Sequence, residues 1–489
     1  MPRTSAIRSG LLTGLAQVVV ALAAAGAGAL LAHKFGRSAE TDGFLSAYAV
    51  YLVLILAAQS FRMVVVPDLT RAAARGDLSR ESRSYGLAHL CLAVPVSILV
   101  GVFASQIGDL LTGNLPPRAA HIAARALVVL VPAAFVQLLA ALAASALAAL
   151  DSYGTAAAGF ALGGITGLVV FAALADSLGI VALAWGLAAN AVVALAVPTV
   201  ALLRRGALRG AMPDRLEIGP RLWHLVQGAA VPVALQGCYL LGLRFAAKLG
   251  VGSVTSFSYA YLAASTLVGA TAFSLGLISA APMTRRGVDA VAAGRHVVHA
   301  SWVSLSIVGA AAGVFAVVGG RIVGLVLGSA YSGGVGRQLG HLVVYLAPWM
   351  LAWVAFAVTF PLVFVAEKRW TLLPLGALGF GLCIPLGLGL RALWGLPGIA
   401  VAVGLATLVI AGGLLATISM RTFGIAALGL AKLALAVGSA AALAFGGLRI
   451  ALSPVTAAAA GVLLYGLVIF ALRSLGLSEA WIYVRGLHQ

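Results

Sequence analysis

FLSAYAVYLVLILAAQSFRMVVVPDLTR, residues 44–71, reads as one long apolar helix that carries an arginine, Arg62, and stops at Pro67. A second stretch echoes it, FSYAYLAASTLVGATAFSLGLISAAPMTR at residues 257–285. Each opens on Phe, reaches Tyr four residues later (Phe44/Tyr48, Phe257/Tyr261) and closes on Pro followed shortly by Thr-Arg. A helix of that length and apolarity spans a bilayer, since ~20 residues cover ~30 Å at 1.5 Å per residue. Two such helices with one pattern point to a duplicated membrane protein.

The composition agrees. Of 489 residues, 62% are apolar and 9% charged, against the roughly 25% charged of soluble domains. Apolar runs recur from end to end, and fourteen spans fit: 10–32, 44–66, 86–107, 122–150, 153–174, 179–203, 222–247, 252–281, 298–320, 339–366, 370–390, 397–420, 424–447 and 454–473. Arg3 and Arg8 precede a first run that continues past Ala32 without a cleavage site, so it reads as a retained helix. The excess of 31 Lys and Arg over 13 Asp and Glu is the signature of cytoplasmic loops rather than of nucleic-acid binding. With the N-terminus inside, nineteen cations fall on inner loops (Arg3, Arg8, Arg71, Arg75, Arg80, Arg83, Arg204, Arg205 and Arg221 among them) and seven on outer ones. That asymmetry predicts a multi-pass protein of the cytoplasmic (inner) membrane with both termini cytoplasmic.

The duplication extends beyond the opening stretch. Pro132 precedes Asp151 by 19 residues, and Pro348 precedes Glu367 by the same 19. The expected domains are therefore an N-lobe of spans 1–6 (1–203), a cytoplasmic linker (204–221), a C-lobe of spans 7–12 (222–421), and spans 13–14 with the tail (422–489). Repeats in the same orientation are one plan of alternating-access transporters.

Chemistry is sparse. All thirteen carboxylates lie in loops or at span ends, and the eight histidines do likewise. Cys91, Cys238 and Cys383 stand far apart in apolar runs, as packing residues. Without a nucleophile–base pair or metal spacing, no catalytic residue, metal site or cofactor is expected. What remains within the spans is cationic or amide-bearing. Arg62 has Gln59 one turn earlier on its face; Arg244 is followed by Lys248 at i+4; Arg125 lies in the outer turn of span 4, with Gln137 deeper. Gln17 and Gln236 lie inside spans 1 and 7. Arginines at span ends can snorkel to headgroups, and intramembrane glutamines can simply join helices. Cations without intramembrane acids nonetheless suit an anionic substrate, because arginine grips phosphate through a planar fork of donors.

Several short motifs resemble one family. His33-Lys34-Phe35-Gly36, Thr41-Asp42-Gly43-Phe44 and Val66-Pro67-Asp68-Leu69 resemble the opening of the MurJ (MviN) lipid II flippases. Gly252-Ser253-Val254, Ser258-Tyr259-Ala260 and Ala281-Pro282-Met283-Thr284-Arg285 resemble that family's spans 7 and 8. The resemblance, within the superfamily of multidrug and polysaccharide-lipid exporters, implies an all-α polytopic fold: two parallel six-helix repeats, the lobes of a V, plus two C-terminal helices. It implies movement of an undecaprenyl-linked oligosaccharide to the outer leaflet, and it adds Asp42, which matches the family's acid, to the candidate site. Departures are visible too. Leu11–Leu31 carries only Gln17 as a strongly polar residue; Val53, Leu54 and Leu262 stand where the family carries arginines, and Tyr261 replaces an acid.

The expected function is flipping of a polyprenyl-linked or other anionic glycolipid, with that lipid and the membrane as partners. The substrate-binding candidates are Arg62, Gln59, Asp42, Arg244, Lys248, Arg125, Gln137, Gln236 and Gln17. A non-transporting scaffold for envelope-synthesis enzymes and a small-molecule exporter of the same superfamily are the alternatives. An embedded glycosyltransferase would need an acidic outer loop, which the chain lacks.

Overall fold

The computed structural model describes residues 3–150, 152–208, 218–286, 289–366 and 368–472, without the side chains of 3–14, 17, 58–64, 67, 270–286, 364–365 and 369. The described chain is helical throughout. In order it forms α1 (Arg3–Phe35), α2 (Ala39–Arg75), α3 (Leu78–Val102), α4 (Ala104–Thr112), α5 (Pro117–Ala149), α6 (Tyr153–Leu178), α7 (Ala182–Arg204), α8 (Ile218–Ala246) and α9 (Ser253–Arg286). There follow α10 (Ala290–Leu327), α11 (Gly333–Tyr345), α12 (Ala347–Val365), α13 (Leu372–Trp394), α14 (Leu396–Ile418), α15 (Met420–Ala441), α16 (Leu448–Ala451) and α17 (Pro454–Ala471). Among the described residues eleven stretches are long and apolar enough to cross a membrane, or twelve if the bent pair α11–α12 is one span. One of the eleven, Tyr153–Arg204, is the packed hairpin of α6 and α7. The expected count of fourteen is not established by these stretches, but a multi-pass helical membrane protein is.

Two expectations about helix ends are corrected. The helix through residues 44–71 does not stop at Pro67; α2 continues to Arg75. Likewise α9 continues past Pro282 to Arg286. Proline removes one backbone donor, which neighbouring helices in a membrane bundle tolerate. What ends α2 is Gly76, at φ 82°, whose N–H turns back to the carbonyls of Ala72 and Ala73. A side chain at that left-handed position would be strained. The two repeat-marking prolines also differ. Pro132 lies inside the unbroken α5, whereas Pro348 follows the break between α11 and α12, where the axis bends by 44°. Asp151 and Glu367, the other markers, lie outside the described residues.

The chain divides into two compact units, Met1–Leu240 with Gly250–Gly252, and Leu241–Leu249 with Ser253–Gln489. Unit 1 is built around α5, an alanine-rich helix packed by α2, α3, α4 and α7. Small residues allow that closeness. A Cβ on Gly43 of α2 would strike the backbone of Ala119. The α6–α7 hairpin uses the same device, with Gly163 against Asn190 and Gly167 against Gly186.

Unit 2 has an aromatic core. Tyr261 of α9 meets Trp349 of α12 at 4.6 Å between ring centroids, and the series continues through Trp353, Phe356 and Phe360 along α12. These side chains are buried, and offset aromatic pairs at such spacing add to their burial energy. The terminal helices α15 and α17 pack on α10, where the Tyr465 hydroxyl donates to the Ser306 carbonyl at 2.8 Å. Between α15 and α16 the chain makes a π-helical turn whose Phe445 sits against Gly313 and Gly461. The echoed phenylalanines hold comparable places in their own units, since Phe44 and Phe257 are both fully buried. Their role is packing.

Candidate functional site

The α1–α2 junction of unit 1 gathers several polar contacts. Ser38 caps α2, its hydroxyl accepting from the Thr41 N–H at 3.2 Å, and the Thr41 hydroxyl donates to the Gly36 carbonyl at 3.0 Å. Capping of this kind satisfies the orphan donors of a first turn. It also presents Asp42 inward, fully buried. The Asp42 carboxylate accepts the N–H of Gly252 at 2.5 Å, while Arg37 Nε donates to the carbonyl of the same Gly252 at 2.9 Å. The two peptide groups that flank the Gly252 Cα are thus each held by one side chain. Gly252 stands at φ 84°, and a Cβ there would enter the Arg37 side chain. Two further ion pairs tie this end of unit 1: Lys34 with Asp176 at 2.5 Å, and Arg118 with Glu40. Asp42 was expected to face a substrate; here its carboxylate holds backbone.

The opposite end of unit 1 holds a charge network that sequence reading did not single out. Asp68 of α2 accepts from the Tyr85 hydroxyl of α3 at 2.6 Å and pairs with Arg71 at 2.6 Å. Arg221, in the first turns of α8, lies 3.6 Å from Asp68 and 2.9 Å from Glu81, and its guanidinium sits 5.4 Å from the Tyr85 ring centroid. Arg83 reaches the Leu208 carbonyl at 2.8 Å, and Arg205 the Ser152 hydroxyl at 2.9 Å. Arginines counted only as loop charge therefore also bind α2, α3 and α8 together. The clue in the sequence was the run of acids (Asp68, Asp77, Glu81) interleaved with them; the pairing needs the fold.

The remaining candidates are scattered. Arg125 and Lys248 are exposed, and Gln236 is buried. Gln137 is partly buried, with Oε1 enclosed and without a hydrogen-bond partner. Arg244 is partly buried, with Nη1 enclosed and unpartnered. Arg125 and Gln137 lie twelve residues apart on α5, or about 18 Å along its axis, so one small headgroup cannot touch both. Arg244 and Lys248 stand on successive turns at the end of α8. The side chains of Arg62, Gln59 and Gln17 lie outside the described residues. Among the described residues no three His, Cys, Asp or Glu side chains stand close enough to hold a metal. Cys238 and Cys383 are buried free thiols, while Cys91 is exposed on α3.

No protein-family model and no curated protein sequence matches this chain. Solved structures do. A structure described as lipid II flippase MurJ in an inward closed conformation matches with a TM-score of 0.70 at 14% identity, over 95% of this chain and 99% of that one. An inward-facing multidrug MATE transporter of the MOP superfamily matches at 0.63 and 13%, over 85% and 95% of the two chains. The eukaryotic MATE transporter AtDTX14 matches at 0.61 and 12%, over 88% and 100%. These neighbours are transporters, not enzymes. The chain has the fold that MurJ and the MATE transporters of the MOP superfamily share.

Proposed function

We propose that the protein is a membrane transporter that flips an anionic, polyprenyl-linked or similar glycolipid to the outer leaflet by alternating access. The observation that carries this reading is the placement of charge. Arg62 stands within the long helix α2, thirteen residues before its end at Arg75, and the acid that follows it in that helix, Asp68, is already paired with Arg71 and Tyr85. An arginine at membrane depth costs about 2.5–3.5 kcal/mol on insertion scales, so its retention suits a compensating anion. Agreement in fold with a structure described as a lipid II flippase, over 95% of the chain, adds support. In this reading Arg62, with Gln59, meets the lipid phosphate on the cytoplasmic side. Arg244, Lys248 and Arg125 offer cationic contacts toward the outer side, and Gln17, Gln137 and Gln236 supply neutral polar contacts. Asp42 serves through the Gly252 peptide it holds.

A second reading is favoured by the apolar stretch Leu11–Leu31 and by Leu262, Val53 and Leu54. A chain lacking those family arginines would suit a scaffold for envelope-synthesis enzymes or, given the MATE-like fold, an exporter of amphipathic small molecules. Reconstitution separates these. Proteoliposomes containing a fluorescent polyprenyl-pyrophosphate sugar should lose protected signal to an external quencher faster than protein-free liposomes. Equal rates would overturn the flippase reading, and uptake of an amphipathic dye instead would favour the exporter.

A further inference from the structure

In unit 2, at the end of α8 and near the end of α13, two arginines each hold an enclosed guanidinium nitrogen that has no partner. Nη1 of Arg244 and Nη1 of Arg391 are both buried, and neither makes a hydrogen bond. Their helices touch beside them. The Phe245 ring fills the space over Gly387; Arg244 precedes that phenylalanine, and Arg391 lies one turn beyond that glycine on the same face of α13. The backbone around Arg391 is fixed as well. Its carbonyl accepts the Gly395 N–H at 2.8 Å, and the neighbouring Leu390 carbonyl packs against Gly398 of α14.

A guanidinium does not shed its proton in a protein, and an enclosed donor without a partner is costly. Among the described residues of unit 2 the only acid is Asp289. Between Leu241 and Leu472 the acids are Asp289 and Glu367. Asp289 caps the start of α10, and Glu367 lies outside the described residues. Unit 2 carries further cations near helix ends, Lys248, Arg337 and Arg449. Unit 1 differs, because its end cations Lys34 and Arg118 are paired with Asp176 and Glu40. Snorkelling does not explain the two arginines either. Arg449 is exposed, reaching no further than the Leu452 carbonyl at 3.4 Å, whereas Arg244 and Arg391 keep a nitrogen inside.

We propose that Arg244 and Arg391 form a resident anion site for a phosphate group, donated by a lipid headgroup or by free phosphate. Two planar forks suit the tetrahedral oxygens of phosphate. For Arg244 this resident role replaces the passing contact of the transport reading, and binding there does not require that the protein transport anything.

Thermal unfolding of the full-length protein tests this, in neutral detergent with added sodium phosphate or with phosphatidylglycerol, at constant ionic strength. A ligand that binds only the folded state raises the midpoint as its concentration passes Kd. The wild-type midpoint should rise by several degrees. Arg244→Gln and Arg391→Gln should each lose most of that rise, Arg391→Lys should keep part of it, and Arg449→Gln should keep all of it. A rise with sodium phosphate alone assigns free anion; a rise confined to phosphatidylglycerol assigns the headgroup. Without ligand, Arg391→Gln should unfold no lower than wild type, since it removes an unanswered charge. The proposal is overturned if neither addition raises the midpoint, if Arg391→Gln and Arg244→Gln respond as wild type does, or if Arg449→Gln loses as much as they do. Should Arg391→Gln not fold, an undiminished rise in Arg391→Lys overturns it.

Discussion

The carboxylate of Asp42 and the peptide N–H of Gly252 are hydrogen-bonded across 210 residues of sequence, and Arg37 donates to the carbonyl of the same residue. A buried charged acceptor bonded to a backbone donor contributes about 1.5–3 kcal/mol. The grip depends on a conformation, φ 84°, that only glycine adopts without strain. Gly252→Ala should therefore lower the unfolding midpoint more than Asp42→Asn, which keeps one acceptor oxygen. Differential scanning fluorimetry of the two purified variants checks the order; equal midpoints for Gly252→Ala and wild type would contradict it.

At the other end of unit 1, Arg221 answers two acids and Tyr85 a third contact. Removing one partner from a largely enclosed ion pair costs about 3–5 kcal/mol because the other charge is stranded. Arg221→Ala should destabilise strongly, and Arg221→Ala combined with Glu81→Gln should recover part of the loss. A double-mutant cycle read by denaturant unfolding should give a coupling of about 0.5–3 kcal/mol. Tyr85→Phe, which deletes only the 2.6 Å hydrogen bond to Asp68, should cost less than Arg221→Ala.

Arg62 carries the transport proposal. Arg62→Ala should abolish flipping while the protein still expresses and inserts, and Arg62→Lys should restore only a fraction, since the ammonium lacks the bidentate fork. The quenching assay reads both; Arg62→Ala running at the wild-type rate would remove this residue from the mechanism.

From the charge asymmetry we propose that residues 67–85, 204–221 and 283–297 face the cytoplasm, with both termini. Cysteines introduced at Ser79 and Ala207, in a background without Cys91, Cys238 and Cys383, should resist an impermeant maleimide in intact cells. They should label once the membrane is permeabilised. Labelling from outside would invert the topology.

The helical membrane fold was legible in the sequence because it follows from a local property. Runs such as residues 44–66 and 122–150 must satisfy their own backbone donors and acceptors in a medium without water, and only helices do so within one segment. Helix ends were less legible. The proline at position 67 looked terminal, yet the αL turn at Gly76 decides where α2 stops, since a helix end is set by capping geometry as much as by composition. The partners of charged side chains were not legible at all. Asp42 reaches residue 252, Asp68 reaches Tyr85 and Arg221, and Phe245 of α8 packs over Gly387 of α13. Pairs so distant in the chain are matched by helix packing, and charge counts alone hold no record of which helix faces which. The length of the apolar runs therefore determined the class of protein, while tertiary packing decided which polar groups meet.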